Sequence, residues 1–312
     1  MKDYKDLRIV FMGTPSFATG VLKHLVERAC NIVGVVTSSD KPAGRGRRLQ
    51  SSNVGAYAES QGLRVLKPTN LKSQNFIEDL ESLNADVFVV VAFRMLPEEV
   101  WSMKPTFNLH ASLLPQYRGA APINWALING ETMTGVTTFF IEREIDTGRI
   151  ISDRAVDIAA DDNVGTLHDK LMNMGSALVL DTLIMFSEDR IESKVQDISD
   201  VTLKPAPKIF KGDCKINWGQ STTAVYNFIR GLSPYPAAWT TIKNTQGEDI
   251  TFKVFSVHPE IISHNQLAGH IETDNKTYLK ISTIDGYVSV CELQLPGKKR
   301  LSIKQVLSGY NF

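Results

Sequence analysis

Apolar residues recur along the first ninety positions in short unbroken runs. "LRIVFMG" (7–13), "NIVGVVTS" (31–38) and "ADVFVVVA" (85–92) are rich in β-branched residues, the pattern of strands buried on both faces. Between them, "FATGVLKHLVERA" and "SQNFIEDLESL" space their apolar residues at helical intervals. This alternation predicts an α/β fold with a parallel sheet covered on both sides. Strands are expected again at "GVTTFFIE" and "RIISDRAVDI", and a long helix at 164–186. The following stretch, "SEDRIESKVQDISDVTLKPAPK" (187–208), is polar and proline-marked and reads as a linker. Beyond it, one helical stretch, "TTAVYNFIRGL", leads into short alternating runs: "AAWTTIKN", "ITFKVFSV", "GHIETD", "TYLKIST" and "YVSVCELQL". These predict a small β-barrel or sandwich. The expected division is a first domain over 1–190, a linker over 191–207 and a second domain over 208–312.

Composition narrows the class. At 312 residues the chain is long enough for two domains with sizeable cores. Its longest apolar runs fall well short of the roughly 18 residues that a membrane span needs. The charged start "MKDYKDLRIV" lacks the apolar centre of a signal peptide, so the cytoplasm is the expected location. Cys30, Cys214 and Cys291 are odd in number and scattered. They read as reduced packing residues, and neither a disulfide framework nor a zinc site is suggested. Net charge is zero, yet residues 208–312 hold 12 Lys and Arg against 8 Asp and Glu, leaving 22 against 26 in residues 1–207. The basic second domain is consistent with a polyanionic partner.

The first strand–helix junction, "FMGTPSFATG", is not a dinucleotide fingerprint, because Gly13 and Gly20 do not form GxGxxG. Thr14 or Ser16 is expected to cap the helix, with Gly13 letting the turn pass close to the sheet. The chemistry concentrates in "FNLHASLLPQYRGAAPINW" (107–125). If "FNLH" is a strand, Asn108 and His110 share one face about 7 Å apart while Leu109 faces the core. An amide can donate to an oxygen that is gaining charge, and an imidazole can exchange a proton near neutral pH. The pair suits acyl transfer to an amine, although the spacing alone is equally that of polar residues finishing a strand. No GxSxG, HExxH or cysteine beside His110 supplies a nucleophile or a metal. Asp146, in "EIDTGRI", could orient His110 if the chain folds back, or could merely build an Asx-turn.

These segments resemble the folate-dependent formyltransferases. "FNLHASLLPQYRGAAP" is similar to that family's N-x-H-x-S-L-L-P-x-[YW]-R-G signature, and "DTG" stands where the family has its Asp. "MGTPSFA", "SDKPAGRGRRLQ", "KINW", "LSPYPAAW" and "PGKKRLSIKQVL" resemble further family segments in the same order, across essentially the whole chain. The resemblance implies a Rossmann-like formyltransferase domain followed by an OB-like barrel. It implies a catalytic trio of Asn108, His110 and Asp146, with 10-formyltetrahydrofolate as donor and initiator methionyl-tRNA as acceptor, no metal, and a monomer. Phe93, Arg94, Met95 and Leu96, with Ser112, Leu113, Leu114 and Pro115, are the implied folate contacts. Lys41, Arg45, Arg47 and Arg48 in the basic loop, and Lys298, Lys299 and Arg300 in the second domain, are the implied tRNA contacts. The chain departs from the family pattern at "AFRMLP", about one residue shorter, at Ala111 in place of a common Gly, and at Gln116 in place of a common Arg.

Overall fold

Ile9–Gly13 is buried at every position because it is an interior strand of a seven-stranded sheet, paired on both edges. The computed structural model describes residues 3–43, 48–199, 202–243 and 247–312. In chain order the first elements are β1 (Ile9–Gly13), α1 (Ser16–Glu27), β2 (Ile32–Val36), β3 (Lys41–Ala43), β4 (Arg48–Gln50), α2 (Asn53–Ser60), β5 (Val65–Leu66) and α3 (Gln74–Ser82). They are followed by β6 (Val87–Val91), α4 (Glu98–Trp101), β7 (Thr106–His110), α5 (Pro122–Ile128), β8 (Met133–Phe140), β9 (Ile150–Asp157) and α6 (Val164–Ser187). The remainder comprises α7 (Thr222–Leu232), β10 (Ala238–Lys243), β11 (Asp249–Ile261), β12 (Ile271–Thr273), β13 (Leu279–Ser282), β14 (Gly286–Gln294), β15 (Leu301–Ser302) and α8 (Ile303–Leu307).

The large sheet runs β5-β2-β1-β6-β7-β8-β9. Its first five strands are parallel, and β8 then pairs antiparallel with β7. The chain winds outward from β1 in both directions, so the carboxyl ends of β1, β6 and β7 adjoin, where open α/β sheets bind ligands. On one face Val10, Met12, Phe88 and Val90 pack with Phe76, Leu80 and Val100 from α3 and α4. On the other, α6 lies so close that a Cβ on Gly175 would meet Leu109 Cδ2 at 2.7 Å. Gly13 makes the close approach expected of it, since a Cβ there would lie 2.6 Å from the Ala18 Cβ. The expected cap by Thr14 or Ser16 is absent: Pro15 is the N-cap of α1, without a side-chain capping bond. The basic segment, read as a loop, is in part a hairpin in which Lys41 pairs with Gln50 and Ala43 with Arg48.

The second sheet is antiparallel, in the order β10-β11-β14-β13-β12 with β15 beside β14. Register shifts at Val254–Ser256 and Ser256–Val257 bulge β11 against β14, and such bulges bend a strand and curl its sheet. Alternate residues of β10 and β14 are buried, and Phe252, Val254, Leu279, Ile281, Val288 and Leu293 meet Val225, Ile229 and Leu232 of α7 in one core. Cys30 and Cys214 are buried, but Cys291 is exposed and so is not the packing residue expected. The backbone forms two compact units that alternate along the chain. One comprises Met1–Gly119, Thr134–Val156 and His168–Pro205, and the other Ala120–Met133, Asp157–Leu167 and Ala206–Phe312. Among the described residues, no helix is long and apolar enough to cross a membrane.

Candidate active site

Strand β7 sorts its side chains by parity. Leu109 points at α6, so Asn108 and His110 face the other way, with Asn108 in register with Val90 and Phe139, and His110 with Thr137. His110 is buried at 6 % exposure, with its ring edge-on to Phe139 at 6.4 Å between centroids. Asn108 is half-buried, and its side chain makes no hydrogen bond to another described residue. An amide held on a central strand with its N–H groups unspent is an available donor.

The chain after His110 folds tightly back. Thr137 Oγ1 donates to the Ser112 carbonyl (2.7 Å) and accepts from the Leu114 N–H (3.2 Å). Ser112 Oγ donates to the Gln116 carbonyl at 2.6 Å. Tyr117 then takes a left-handed backbone (φ 59°), a conformation costing on the order of 1 kcal/mol for a non-glycine residue. That turn directs the Tyr117 carbonyl at His110 Nε2, 2.7 Å away. A backbone carbonyl only accepts, so Nε2 carries the proton and neutral His110 presents a bare Nδ1. On that side lies Asp146 Oδ2, at 3.8 Å.

Asp146 does reach back to β7. Its backbone is left-handed (φ 56°), and its carboxylate accepts from the Gly119 N–H at 2.8 Å, a residue 27 positions away, rather than closing its own turn. Gly148 makes that placement possible, since a Cβ there would come within 1.7 Å of the Phe140 carbonyl oxygen at the end of β8. The trio named from the sequence therefore converges in one compact unit, although its members lie on β7 and on a turn that follows β8.

The residues read as folate contacts have different surroundings. Leu96 and Leu114 are buried in apolar clusters, and the Ser112 hydroxyl is spent on the Gln116 carbonyl. Arg94 donates to the Pro68 and Thr69 carbonyls (2.5 and 3.1 Å) and lies over the Phe93 ring. Phe93, Leu113 and Pro115 keep part of their surface, and Met95 is 75 % exposed. Of the basic residues, Lys41 is exposed on β3. Arg45 and Arg47 lie outside the described residues, as does the side chain of Arg48. Lys298 and Lys299 are exposed, whereas Arg300 is paired with Glu292 and stacked over the Phe255 ring at 4.6 Å. Gln196 lies in the polar segment read as a linker, whose composition carries no signal for it, yet it is buried and its Nε2 donates to the Asp146 and Gly148 carbonyls at 2.9 and 2.8 Å.

Residues 7–183 match the formyl transferase domain, and 208–311 match the formyl transferase C-terminal domain. Methionyl-tRNA formyltransferase of Bacteroides thetaiotaomicron is 52 % identical over 310 residues, covering 98 % of this chain and 96 % of that protein. Among solved structures, HypX from Aquifex aeolicus in complex with tetrahydrofolic acid superposes with a TM-score of 0.65 at 19 % identity, over 96 % of this chain and 47 % of that one. An N-formyltransferase from Helicobacter canadensis, in complex with folinic acid and dTDP-3-aminofucose, gives 0.63 at 19 % identity, over 95 % of this chain and 100 % of that one. At that identity the two structures speak for the fold alone. With both domain matches in order and a relative so similar over almost its full length, the chain belongs to the methionyl-tRNA formyltransferase family of enzymes.

Proposed function

We propose that the protein transfers the formyl group of 10-formyltetrahydrofolate to the amino group of initiator methionyl-tRNA in the cytoplasm, acting as a monomer. The observation that carries this reading is the meeting of Asn108, His110 and Asp146, with the Asn108 amide making no hydrogen bond among the described residues and Nδ1 of His110 3.8 Å from the Asp146 carboxylate. Asn108 donates to the formyl oxygen as negative charge grows on it. His110 receives the proton of the attacking amine on Nδ1, because Nε2 is committed to the Tyr117 carbonyl, and passes it to the leaving nitrogen directly or through water. Asp146 faces the positive charge that the ring then carries and holds its orientation.

The folate donor, as a substrate, fits the surroundings. Phe93 and Met95 follow the carboxyl end of β6 and Leu113 and Pro115 that of β7, giving apolar surface beside the polar pair. Such mixed lining suits a flat heteroaromatic ring. The donor supplies an activated one-carbon unit; the chain's residues orient it and move protons. Leu96, Ser112 and Leu114 shape that wall from within, and Arg94 anchors its loop. Lys41, Arg45, Arg47 and Arg48, with Lys298, Lys299 and Arg300, are assigned to tRNA phosphates. The division into a catalytic part (1–190), a linker (191–207) and a tRNA-binding part (208–312) belongs to the same proposal.

The test is formyl transfer from 10-formyltetrahydrofolate to methionyl initiator tRNA and, in parallel, to a nucleotide-linked amino sugar, with His110→Ala as control. Formylation of the tRNA alone, dependent on His110, is the expected result. Transfer to the sugar alone would overturn the acceptor assignment, and transfer to neither would overturn the reaction.

A further inference from the structure

The polar segment after α6 has the composition of a tether, but its hydrogen bonds are those of a structural strap. Lys194 and Ile150 exchange both backbone bonds (2.9 and 2.8 Å), and Arg149 holds the Ser193 carbonyl and hydroxyl (2.6 and 3.0 Å). Farther along, the Lys204 carbonyl accepts from the Tyr117 N–H at 2.8 Å, and Gln116 bonds to both Thr202 and Lys204. Between these anchors sits Gln196, with only 6 % of its surface exposed. Its Nε2 donates to the carbonyls of Asp146 and Gly148, and its Oε1 accepts from Arg118 Nε and Nη2 at 3.1 and 2.6 Å. Both amide hydrogens and both acceptor directions are used.

We propose that Gln196 is a positioning residue for Asp146: it locks the left-handed turn that sets the carboxylate 3.8 Å from His110 Nδ1. Three observations support it. Asp146 takes a left-handed backbone (φ 56°), a region that Asp enters more readily than most residues but still at a cost, so bonds to the turn's carbonyls favour it. Gln196 grips the backbone on both sides of Thr147, while the carboxylate itself is held at its other end by the Gly119 N–H. Arg118, next in sequence to Tyr117, donates to the same amide, so the segment presenting the His110 acceptor and the turn presenting Asp146 share one buried hub. Burial makes the hub demanding, because a lost partner leaves polar groups without water to replace it.

This inference rests on the formyl-transfer reading, and its test separates the two. Gln196→Leu is compared with the unaltered full chain, alone and combined with Asp146→Asn. Gln196 acting through Asp146 predicts a kcat lower by about 10- to 100-fold, as for misplacement of a reacting group by about 1 Å, with little change in KM. The same substitution should cost far less when Asp146 is already altered, the non-additivity expected of residues that act as a unit. Equal losses in both backgrounds would overturn the proposal. If Gln196→Leu does not fold, Gln196→Glu keeps the volume and the Arg118 pair while removing both donated bonds, and is judged by the same cycle. Amide exchange at Gly119 reads the geometry without activity. Faster exchange in the Gln196 variant is expected, and unchanged protection would overturn the proposal. An unaltered protein that transfers no formyl group would sink the functional reading while leaving the exchange result standing.

Discussion

Replacing Asn108 by alanine removes one donor and disturbs little else. The side chain is half-buried and makes no hydrogen bond among the described residues, so its loss orphans no partner. The backbone ladder of β7 to Val90 and Phe139 is untouched. Stability should therefore change by no more than about 1 kcal/mol, a shift of roughly 2–4 °C in Tm for a unit of this size. If the amide binds the developing oxyanion, the transition state loses about 2.7–4 kcal/mol, or 10²- to 10³-fold in kcat. The two magnitudes separate a catalytic from a structural role. Formyl transfer is measured at saturating donor and methionyl-tRNA, with donor binding by fluorescence titration and unfolding by calorimetry. The expected outcome is a fall of that size in kcat, donor affinity nearly unchanged, and a small change in Tm. Asn108→Asp, which keeps the shape but presents acceptors alone, should be no better than alanine. A kcat within about threefold of the unaltered enzyme, less than roughly 0.7 kcal/mol, would remove Asn108 from the mechanism.

Three further outcomes follow from the same structure. Gly148→Ala puts a Cβ within 1.7 Å of the Phe140 carbonyl oxygen, so the turn must move and take Asp146 with it; turnover should fall at least as far as in Asp146→Ala, and wild-type turnover would refute the packing argument. Neutralising Arg45, Arg47 and Arg48 should weaken tRNA binding and flatten its dependence on log salt by about one phosphate contact per effective charge, with an unchanged slope counting against the basic segment. Glu260 is hydrogen-bonded by Lys280 (2.6 Å) and by Ser289 (2.5 Å), and these donors hold its carboxyl below the ordinary carboxylate value. A group depressed in the folded state contributes stability above its unfolded value, near 4.5, that is lost as pH falls through the folded one. Thermal midpoints followed from about pH 5 to pH 3 should decline less steeply in Glu260→Gln, though not level off, since Asp274 and Asp285 are depressed too; equal slopes would contradict the assignment.

How far the sequence could be read depended on the range of the interaction. Continuous β-branched runs marked β1, β2 and β6 because a strand covered on both faces has no polar side to show. Period-two alternation placed Asn108 and His110 on one face of β7 because strand geometry is local. The long α6 and the alternating strands from β10 to β14 were legible for the same reason. Short elements were not: α4, α8 and the paired β3 and β4 carry too few residues for a period to emerge, and the glycine-rich sequence around them reads as loop. Cys291 looked like its two buried counterparts because a lone cysteine carries no sign of its own exposure.

What tertiary structure alone decided is the company each polar group keeps. Asp146 could have closed an Asx-turn; the return of the chain after β8 instead brings it to the Gly119 N–H and to His110. Which imidazole nitrogen is bare depends on the Tyr117 carbonyl, turned inward by a backbone that residue type does not announce. Gln196 sits in a segment whose composition is that of solvated chain, and only its burial 50 residues from Asp146 makes it a hub. Arg300, one of three adjacent cations, is set apart by Glu292 and Phe255. The sequence by itself determined the strands, their faces and the residue types that carry chemistry, because these follow from local spacing and from burial. Distances, proton positions and supporting bonds required the fold, because they join residues that spacing along the chain does not relate.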